Sequence, residues 1–402
     1  MYILHCKEIL KNRSKRSIIF PNSKAERKNQ MNKTGKNKFD LDTPCLVLDM
    51  DLLERNLATM QHAVREAEKN IRPHVKTHKC SALAKKQIEA GAIGVCAAKL
   101  TEAEALAEAG ISNILITAPV VTQAKMERLV NLAGEDPTSM VVVDNAETIT
   151  LLDAASRQRN LTLDVLLDLN VGLDRTGVKP SDAAAVAEHI GACHNLRLRG
   201  VQAYAGHVQH IHSYEKRKET SLHALKSAAK VFRDLEAAYP DCIIFSASGT
   251  GTFDIDCAIP ELTELQVGSY AVMDAEYLAV GSEADETRFR PFEPALRLLT
   301  TVISIGHSGF VTVDAGLKTL YKDGAVPQVI TPEYRSLTYD WFGDEYGKIS
   351  GPHDSDLPPL GSVLELITSH CDPTINLFDN VYLTRGEKVI GTWEIDLRGC
   401  SS

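Results

Sequence analysis

The sequence predicts an α/β protein: a (β/α)8 barrel of the TIM type followed by a smaller, mostly β domain. From residue 45 to about 268, short apolar runs alternate with amphipathic stretches rich in Ala, Glu and Lys. That rhythm belongs to βα units, and eight of them close a parallel barrel. Past about residue 285 the helical pattern fades, and β-like runs punctuated by Pro and Gly replace it. No G-x-G-x-x-G follows the first apolar run, which argues against an open dinucleotide-binding sheet.

The first run, CLVLDM at 45–50, precedes an amphipathic segment at 51–69. Eight barrel strands are then expected at 71–78, 94–99, 113–117, 140–144, 164–170, 198–204, 243–248 and 264–268. Helical stretches separate most of them, at 80–91, 101–110, 122–133, 145–158, 180–194 and 214–238. Run 45–50 is one strand too many for the barrel, so it is expected to cross over to the C-terminal sheet. There, β runs are expected at 295–305, 309–313, 362–367, 380–384 and 388–395. The predicted organisation is a leader over 1–39, a barrel over 40–285 and a β domain over 286–402.

Charge is unevenly placed. Residues 1–39 hold eleven Lys/Arg against two Glu, a formal +9, which leaves −18 on the rest of a chain whose total is −9. The leader is Lys/Asn-rich without clear amphipathic periodicity, which favours a disordered tail; an organelle-targeting peptide or an upstream extension before Met31 stays open. An acidic body lacking a basic, aromatic-studded face argues against nucleic-acid binding. No apolar run approaches the roughly 20 residues that cross a membrane. Nine cysteines without a C-x-x-C or a regular framework read as reduced thiols of a cytoplasmic protein.

Chemistry on a β/α barrel gathers at the C-terminal ends of its strands. The segment Arg72-Pro73-His74-Val75-Lys76-Thr77-His78-Lys79 puts two lysines and two histidines there with no carboxylate among them. On an extended chain His74, Lys76 and His78 share one face and Lys79 the other. Lys76 is thus a candidate nucleophile able to hold a carbonyl as a Schiff base, and Lys79 an ordinary charge at a helix start. After the seventh strand, Ser248-Gly249-Thr250-Gly251 offers small residues and hydroxyls for an anion, and Gly268-Ser269-Tyr270 follows the eighth. Barrels commonly bind phosphate at those two turns. A lysine facing a phosphate cup points to a phosphorylated aldehyde cofactor, and pyridoxal 5′-phosphate fits best.

Tyr204 ends a strand and either stacks on a cofactor ring or packs as core. His207, His210 and His212 follow, but their spacing fits no tight metal site, and one general base with two solvated imidazoles is the simpler reading. In Ser369-His370-Cys371-Asp372-Pro373, His370 and Asp372 point the same way on an extended chain and can grip one ion. An imidazole with a carboxylate favours Mn²⁺ or Mg²⁺ over Zn²⁺.

Together these segments resemble the D-threonine aldolase/D-serine dehydratase family, pyridoxal-phosphate enzymes of the alanine racemase-like fold (fold type III). The resemblance runs from about Asp42 to Gly399. DTPCLVLDMDLLERN, RPHVKTHK, GVCAAKLTEAEAL, GLDRTGV, GVQAYAGHVQH, SASGTGT, ELQVGSYAVMD, VTVDAGLK and SHCDPTINLFD carry it. It implies Lys76 as the Schiff-base lysine, the turn at 246–252 as the phosphate site and Arg175 near the cofactor ring or its phenolic oxygen. Tyr204 becomes a cofactor contact, His210 the imidazole beside the substrate's β-hydroxyl, and His370 with Asp372 the metal pair. Family dehydratases typically carry H-x-C with zinc; Asp372 departs from that and is similar to aldolases acting on D-threonine or 3-hydroxy-D-aspartate. The implied reaction is cleavage of a small D-configured β-hydroxy amino acid to glycine and an aldehyde, in a homodimer. A dehydratase of D-serine or 3-hydroxyaspartate is the alternative. A racemase would need no ion, and a non-catalytic pyridoxal-phosphate carrier would need no β domain.

Overall fold

The computed structural model describes residues 33–402. Strand β1 (Cys45–Asp49) is buried along its apolar length, and the helix Met50–Glu66 follows at once. Asp49 caps that helix, its side chain accepting from the backbone N–H of Asp51 and Leu52. Leu53, Leu57, Met60 and Val64 form its buried stripe, spaced three and four apart as a core-facing helix requires.

Eight parallel strands then build the barrel: β2 (Asn70–Ile71), β3 (Val95–Ala97), β4 (Ile114–Ile116), β5 (Met140–Val143), β6 (Leu163–Asp168), β7 (Leu196–Ala203), β8 (Ile244–Ala247) and β9 (Glu264–Leu265). Their order is β2-β9-β8-β7-β6-β5-β4-β3. Beyond β2 the chain stays extended just long enough to close the ring. Cys96 N–H donates to the Pro73 carbonyl at 2.8 Å, and His74 bridges Cys96 in parallel register. Beneath this seam Arg72 makes a two-pronged ion pair with Glu264, at 2.9 and 3.0 Å, almost wholly out of solvent.

The second sheet contains β10 (Leu296–Ser304), β11 (Phe310–Val313), β12 (Gln328–Val329), β13 (Thr338–Trp341), β14 (Gly347–Ser350), β15 (Val363–Ile367), β16 (Asn380–Arg385) and β17 (Lys388–Glu394). Strand β11 pairs back onto β10, so β10-β15-β12-β13-β14-β11 form a closed ring. On the other side of β10 lie β1, β16 and β17; β1 runs antiparallel to β10 and parallel to β16. One continuous apolar core runs through both sheets.

The strand expected over 71–78 is shorter: β2 stops at Ile71, and Val75–Thr77 is a single 3-10 turn. Strands β12, β13 and β14 were not foreseen, because their short runs carry charged and exposed positions that blur a period-2 pattern. Of the predicted leader, residues 1–32 lie outside the described residues. Residues 33–39 pack on β17, with Gly35 N–H donating to Val389 O at 2.8 Å and Lys38 N–H to Glu387 O at 2.7 Å. The Lys38 ammonium is buried against Glu365 at 2.7 Å. No helix among the described residues is long and apolar enough to cross a membrane.

Candidate active site

Lys76 stands on the 3-10 turn rather than on a strand, and this changes its company. His74 starts the turn, with Nε2 3.1 Å from Thr117 Oγ1. Burial, then the neighbouring Lys76 charge, pushes the His74 imidazole well below its ordinary pKa. His78 does not share the face of Lys76. It is fully buried with Nε2 3.1 Å from Gln87 Oε1, while its Nδ1 accepts from the Cys80 N–H. Burial pushes it down to about 4, so it is a neutral structural imidazole. Lys79 is no surface charge either: its ammonium is 2.7 Å from Glu102 Oε1 and 3.1 Å from the Cys400 carbonyl.

Lys76 Nζ donates to Asp372 Oδ1 at 2.5 Å across the junction of barrel and β domain. Burial works against charge on Lys76, but Asp372 outweighs it and holds the ammonium above its usual range. Asp372 is mostly shielded from solvent, and Lys76 with His370 keeps its carboxyl well below the ordinary carboxylate range.

The lysine opens into a cavity of about 420 Å³ at the mouth of the barrel, a size suited to one small cofactor. Arg175 and Tyr204 form one wall, the guanidinium carbon 5.7 Å from the ring centre. Gln202 and Gln266 form a floor, tied to each other and to Asp168 and Ser246 by buried hydrogen bonds. The far end is made by Gly249, Thr250, Gly268 and Ser269. Among the described residues the backbone N–H groups of these four have no acceptor, so they are free to receive an anion. Ser248 reaches this turn through a left-handed φ of 73°. A Cβ on Gly268 would sit 2.4 Å from Thr77 Oγ1, which packs this turn directly on the lysine segment.

Three expected cofactor residues lie behind the wall. Ser248 is buried beneath the turn. Gly251 donates to Gln209 and is there for packing, since a Cβ would stand 2.2 Å from the Gln209 carbonyl. Tyr270 is in the core; its N–H donates to Thr250 Oγ1 and its phenol accepts from Gln87. The cavity fits pyridoxal phosphate: an amine at one end, donors without acceptors at the other, and a cation stacked on an aromatic ring between.

His370 and Asp372 meet, but not on an extended chain. His370 precedes the short helix Cys371–Ile375, and Asp372 lies in its first turn. His370 Nε2 is 3.9 Å from Asp372 Oδ2, a span one ion could bridge. Among the described residues no group of three or more His, Cys, Asp and Glu is arranged to hold a metal, so the protein offers two donors. Cys371 is fully buried, its thiol pushed up by burial. On its other edge His370 Nδ1 faces Asp323 Oδ2 at 3.2 Å and Glu276 Oε2 at 3.8 Å. The same Glu276 faces His210 Nδ1 at 3.6 Å. His210 packs against Tyr277, its ring centre 4.5 Å away, and burial lowers its pKa. His207 and His212 are exposed. Glu276, Tyr277, Asp323 and Thr117 escaped the sequence reading. Glu276 and Tyr277 lie on the short helix Ala275–Leu278, whose one signal is its cap Asp274, which also accepts from Cys371 N–H; Thr117 follows β4 and Asp323 stands on a bend. A second opening of about 380 Å³, shared by Lys76, Lys99, Tyr321, Asp323, His370 and Asp372, leads from this cluster to solvent.

Comparison with known proteins places these features in a family. Residues 48–276 match the alanine racemase N-terminal domain, and residues 295–384 a serine dehydratase domain. The chain is 38% identical over 364 residues to D-threonine aldolase of Arthrobacter sp, covering 90% of this chain and 94% of that protein. It is 34% identical over 369 residues to 3-hydroxy-D-aspartate aldolase of Paracoccus denitrificans (strain Pd 1222), covering 91% and 94%. The crystal structure of D-threonine aldolase from Filomicrobium marinum superposes with a TM-score of 0.87 at 36% identity, covering 92% and 99%. D-threo-3-hydroxyaspartate dehydratase of Delftia sp. (strain HT23) is more distant, at 26% identity over 377 residues, covering 88% and 97%.

Proposed function

Because the chain belongs to the D-threonine aldolase/D-serine dehydratase family of alanine racemase-like enzymes, we propose that it is a pyridoxal-phosphate-dependent lyase. It cleaves D-configured β-hydroxy-α-amino acids of the D-threonine type to glycine and an aldehyde, aided by a divalent ion. The observation that carries this is the meeting of Lys76 with Asp372 at 2.5 Å, which joins the amine of the barrel to the His370/Asp372 pair of the β domain in one cleft.

Lys76 is the amine that would carry the cofactor's aldehyde, the N–H groups of Gly249, Thr250, Gly268 and Ser269 would hold its phosphate, and Arg175 with Tyr204 would flank its ring. His370 and Asp372 would hold a Mn²⁺ or Mg²⁺ ion. Bound there, the two groups supply an electron sink for Cα and a Lewis acid for the substrate's β-hydroxyl. The remaining work falls to side chains. His210, neutral at neutral pH because burial lowers its pKa, takes the proton from the β-hydroxyl as the Cα–Cβ bond breaks. Glu276 and Asp323 face Nδ1 of His370, which leaves Nε2 turned towards Asp372. The turn at Gly268 packs on Thr77 and so fixes the phosphate end relative to the lysine segment.

The dehydratase alternative draws on the match of residues 295–384 to a serine dehydratase domain. Incubation with D-threonine and with D-serine decides between them. Glycine plus acetaldehyde supports the aldolase; a 2-keto acid plus ammonia without aldehyde overturns it. A homodimer completes the proposal, supported by the exposed Leu317, Tyr321, Phe342 and Tyr346 on the β domain beside the cleft; light scattering at a monomer mass would contradict it.

A further inference from the structure

We propose that Arg217, a buried guanidinium without an ion-pair partner, supplies the charge that completes the phosphate end of the cofactor cavity. The enzyme therefore selects its cofactor by the phosphate group. This rests on the cofactor assignment above. Arg217 lies in the first turn of the helix Tyr214–Ala238, on the far side of the phosphate turn from the cavity, and it is 0% exposed.

All its hydrogen bonds go to backbone carbonyls. Nε donates to Gly251 at 2.7 Å, Nη1 to Ile211 at 2.7 Å and to His212 at 3.3 Å, and Nη2 to Gly281 at 2.5 Å. Among the described residues no carboxylate lies within ion-pair distance of it. The acids that act on it from farther off are Asp254 and Glu286, and the Glu286 carboxylate already accepts from the Tyr214 N–H at 3.1 and 3.3 Å. The Tyr214 ring lies 5.5 Å from the guanidinium carbon. Four carbonyl dipoles accept from the guanidinium, yet they leave the unit charge in place, and arginine does not shed its proton in proteins. A buried charge with no counter-ion within ion-pair distance is costly, and a ligand's anion beside it would lower that cost.

The anion site is adjacent by bonding. Gly251, whose carbonyl accepts from Nε, follows Thr250, which lines the cavity beside Gly249. The other two anchors matter as well. Ile211 and His212 follow His210, and Gly281 follows the helix Ala275–Leu278 that carries Glu276 and Tyr277. One cation thus fastens the phosphate turn, the general-base loop and the Glu276 helix to one point. A phosphate dianion held at the cup strengthens that point, so loading the cofactor also firms the catalytic side chains. Arg217 is a positioning residue in this scheme.

The test uses the full-length apoprotein and two ligands, pyridoxal phosphate and pyridoxal. Both carry the aldehyde that Lys76 engages, and they differ by the phosphate. In Arg217→Gln the preference for pyridoxal phosphate over pyridoxal, read as the ratio of dissociation constants, falls on the order of tenfold, about 1.4 kcal/mol. In Arg217→Lys, which keeps the charge and loses the fork, both affinities weaken while the ratio stays within about threefold of wild type. Inorganic phosphate raises the Tm of the wild-type apoprotein more than chloride at equal ionic strength, and does so without any variant. Equal loss of both ligands in Arg217→Gln, loss of the preference in Arg217→Lys, or a wild-type Tm indifferent to phosphate each overturns the inference. If wild-type protein binds no pyridoxal phosphate at all, the cofactor assignment fails instead.

Discussion

Removing Glu264 tests how much the buried ion pair at the barrel seam contributes to stability. Arg72 and Glu264 share two hydrogen bonds at 2.9 and 3.0 Å, with side-chain exposures of 2% and 3%. Arg72 Nη1 also donates to the carbonyl and side-chain oxygens of Asn113 at 2.6 and 2.9 Å, so the guanidinium ties β2, β9 and the start of β4 together. Glu264→Ala leaves that guanidinium buried with only neutral acceptors, a change that costs about 3–5 kcal/mol. The two sheets share one core and are expected to unfold together. With about 2 cal/mol/K of unfolding entropy per residue, the 370 described residues give roughly 0.8 kcal/mol per degree. The Tm should therefore fall by about 4–6 °C, read by calorimetry or by the urea midpoint. A charge-free pair, Arg72→Met with Glu264→Leu, should recover most of the loss, because well-packed apolar residues often replace a buried ion pair without cost. A fall of less than about 1 °C, or a double variant weaker than the single one, refutes the reasoning.

Lys76→Ala should lose the absorption band of bound pyridoxal and slow turnover on the order of a thousandfold or more; retained turnover would defeat every reading in which Lys76 carries the cofactor's aldehyde. His210→Gln should lower kcat by about 10²–10⁴-fold while moving KM little, whereas a KM effect alone would make His210 a binding group. His78 has a folded pKa of about 4 against about 6.5 unfolded, so the unfolded chain binds more protons between those values. Stability should then fall as pH drops through that window, by at most about 1.4 kcal/mol per unit; a melting series in which His78→Gln is as acid-sensitive as wild type would assign the loss to other groups.

The sequence made the barrel legible because its buried strands are uninterrupted apolar runs set between helices with clear stripes. Leu53, Leu57, Met60 and Val64 announce their helix by spacing alone. The β1 crossover could be anticipated from one strand too many, and the sheet places it between β10 and β16. What misled was the segment after β2. Alternation assigned His74, Lys76 and His78 to one face, but Pro73 and the need to seal β2 against β3 end the extended chain at His74, and a 3-10 turn rotates the next side chains. The same limit hid the partner of Lys79, Glu102, 23 residues away, and that of Asp372, Lys76, 296 residues away. Tertiary partners at that distance leave no local pattern. Glycines behave likewise: Gly249 and Gly251 share one motif and both pack on Gln209, yet of the two only Gly249 lines the cavity.

Asp372 has two obligations that cannot both be met by Lys76. Its side chain is 14% exposed, so its carboxylate needs a positive partner, and in the protein alone Lys76 provides it through Oδ1. An amine bonded to the cofactor's aldehyde is a much weaker base than a free lysine, so loading the cofactor removes much of that counter-charge. His370, 3.9 Å from Oδ2, then stands with an anion that a divalent ion can neutralise, and imidazole with carboxylate suits Mn²⁺ or Mg²⁺. Cofactor and metal should therefore bind with positive coupling, on the order of fivefold or more. Calorimetric titration of Mn²⁺ into apoprotein and into cofactor-loaded protein measures it, and linkage requires Mn²⁺ to tighten the cofactor by the same factor. Asp372→Asn removes the carboxylate that both partners use, so its two Mn²⁺ affinities should be weak and equal. Equal Mn²⁺ affinities in the wild-type forms would mean that Lys76 and the ion do not compete for Asp372, and the charge argument would fall.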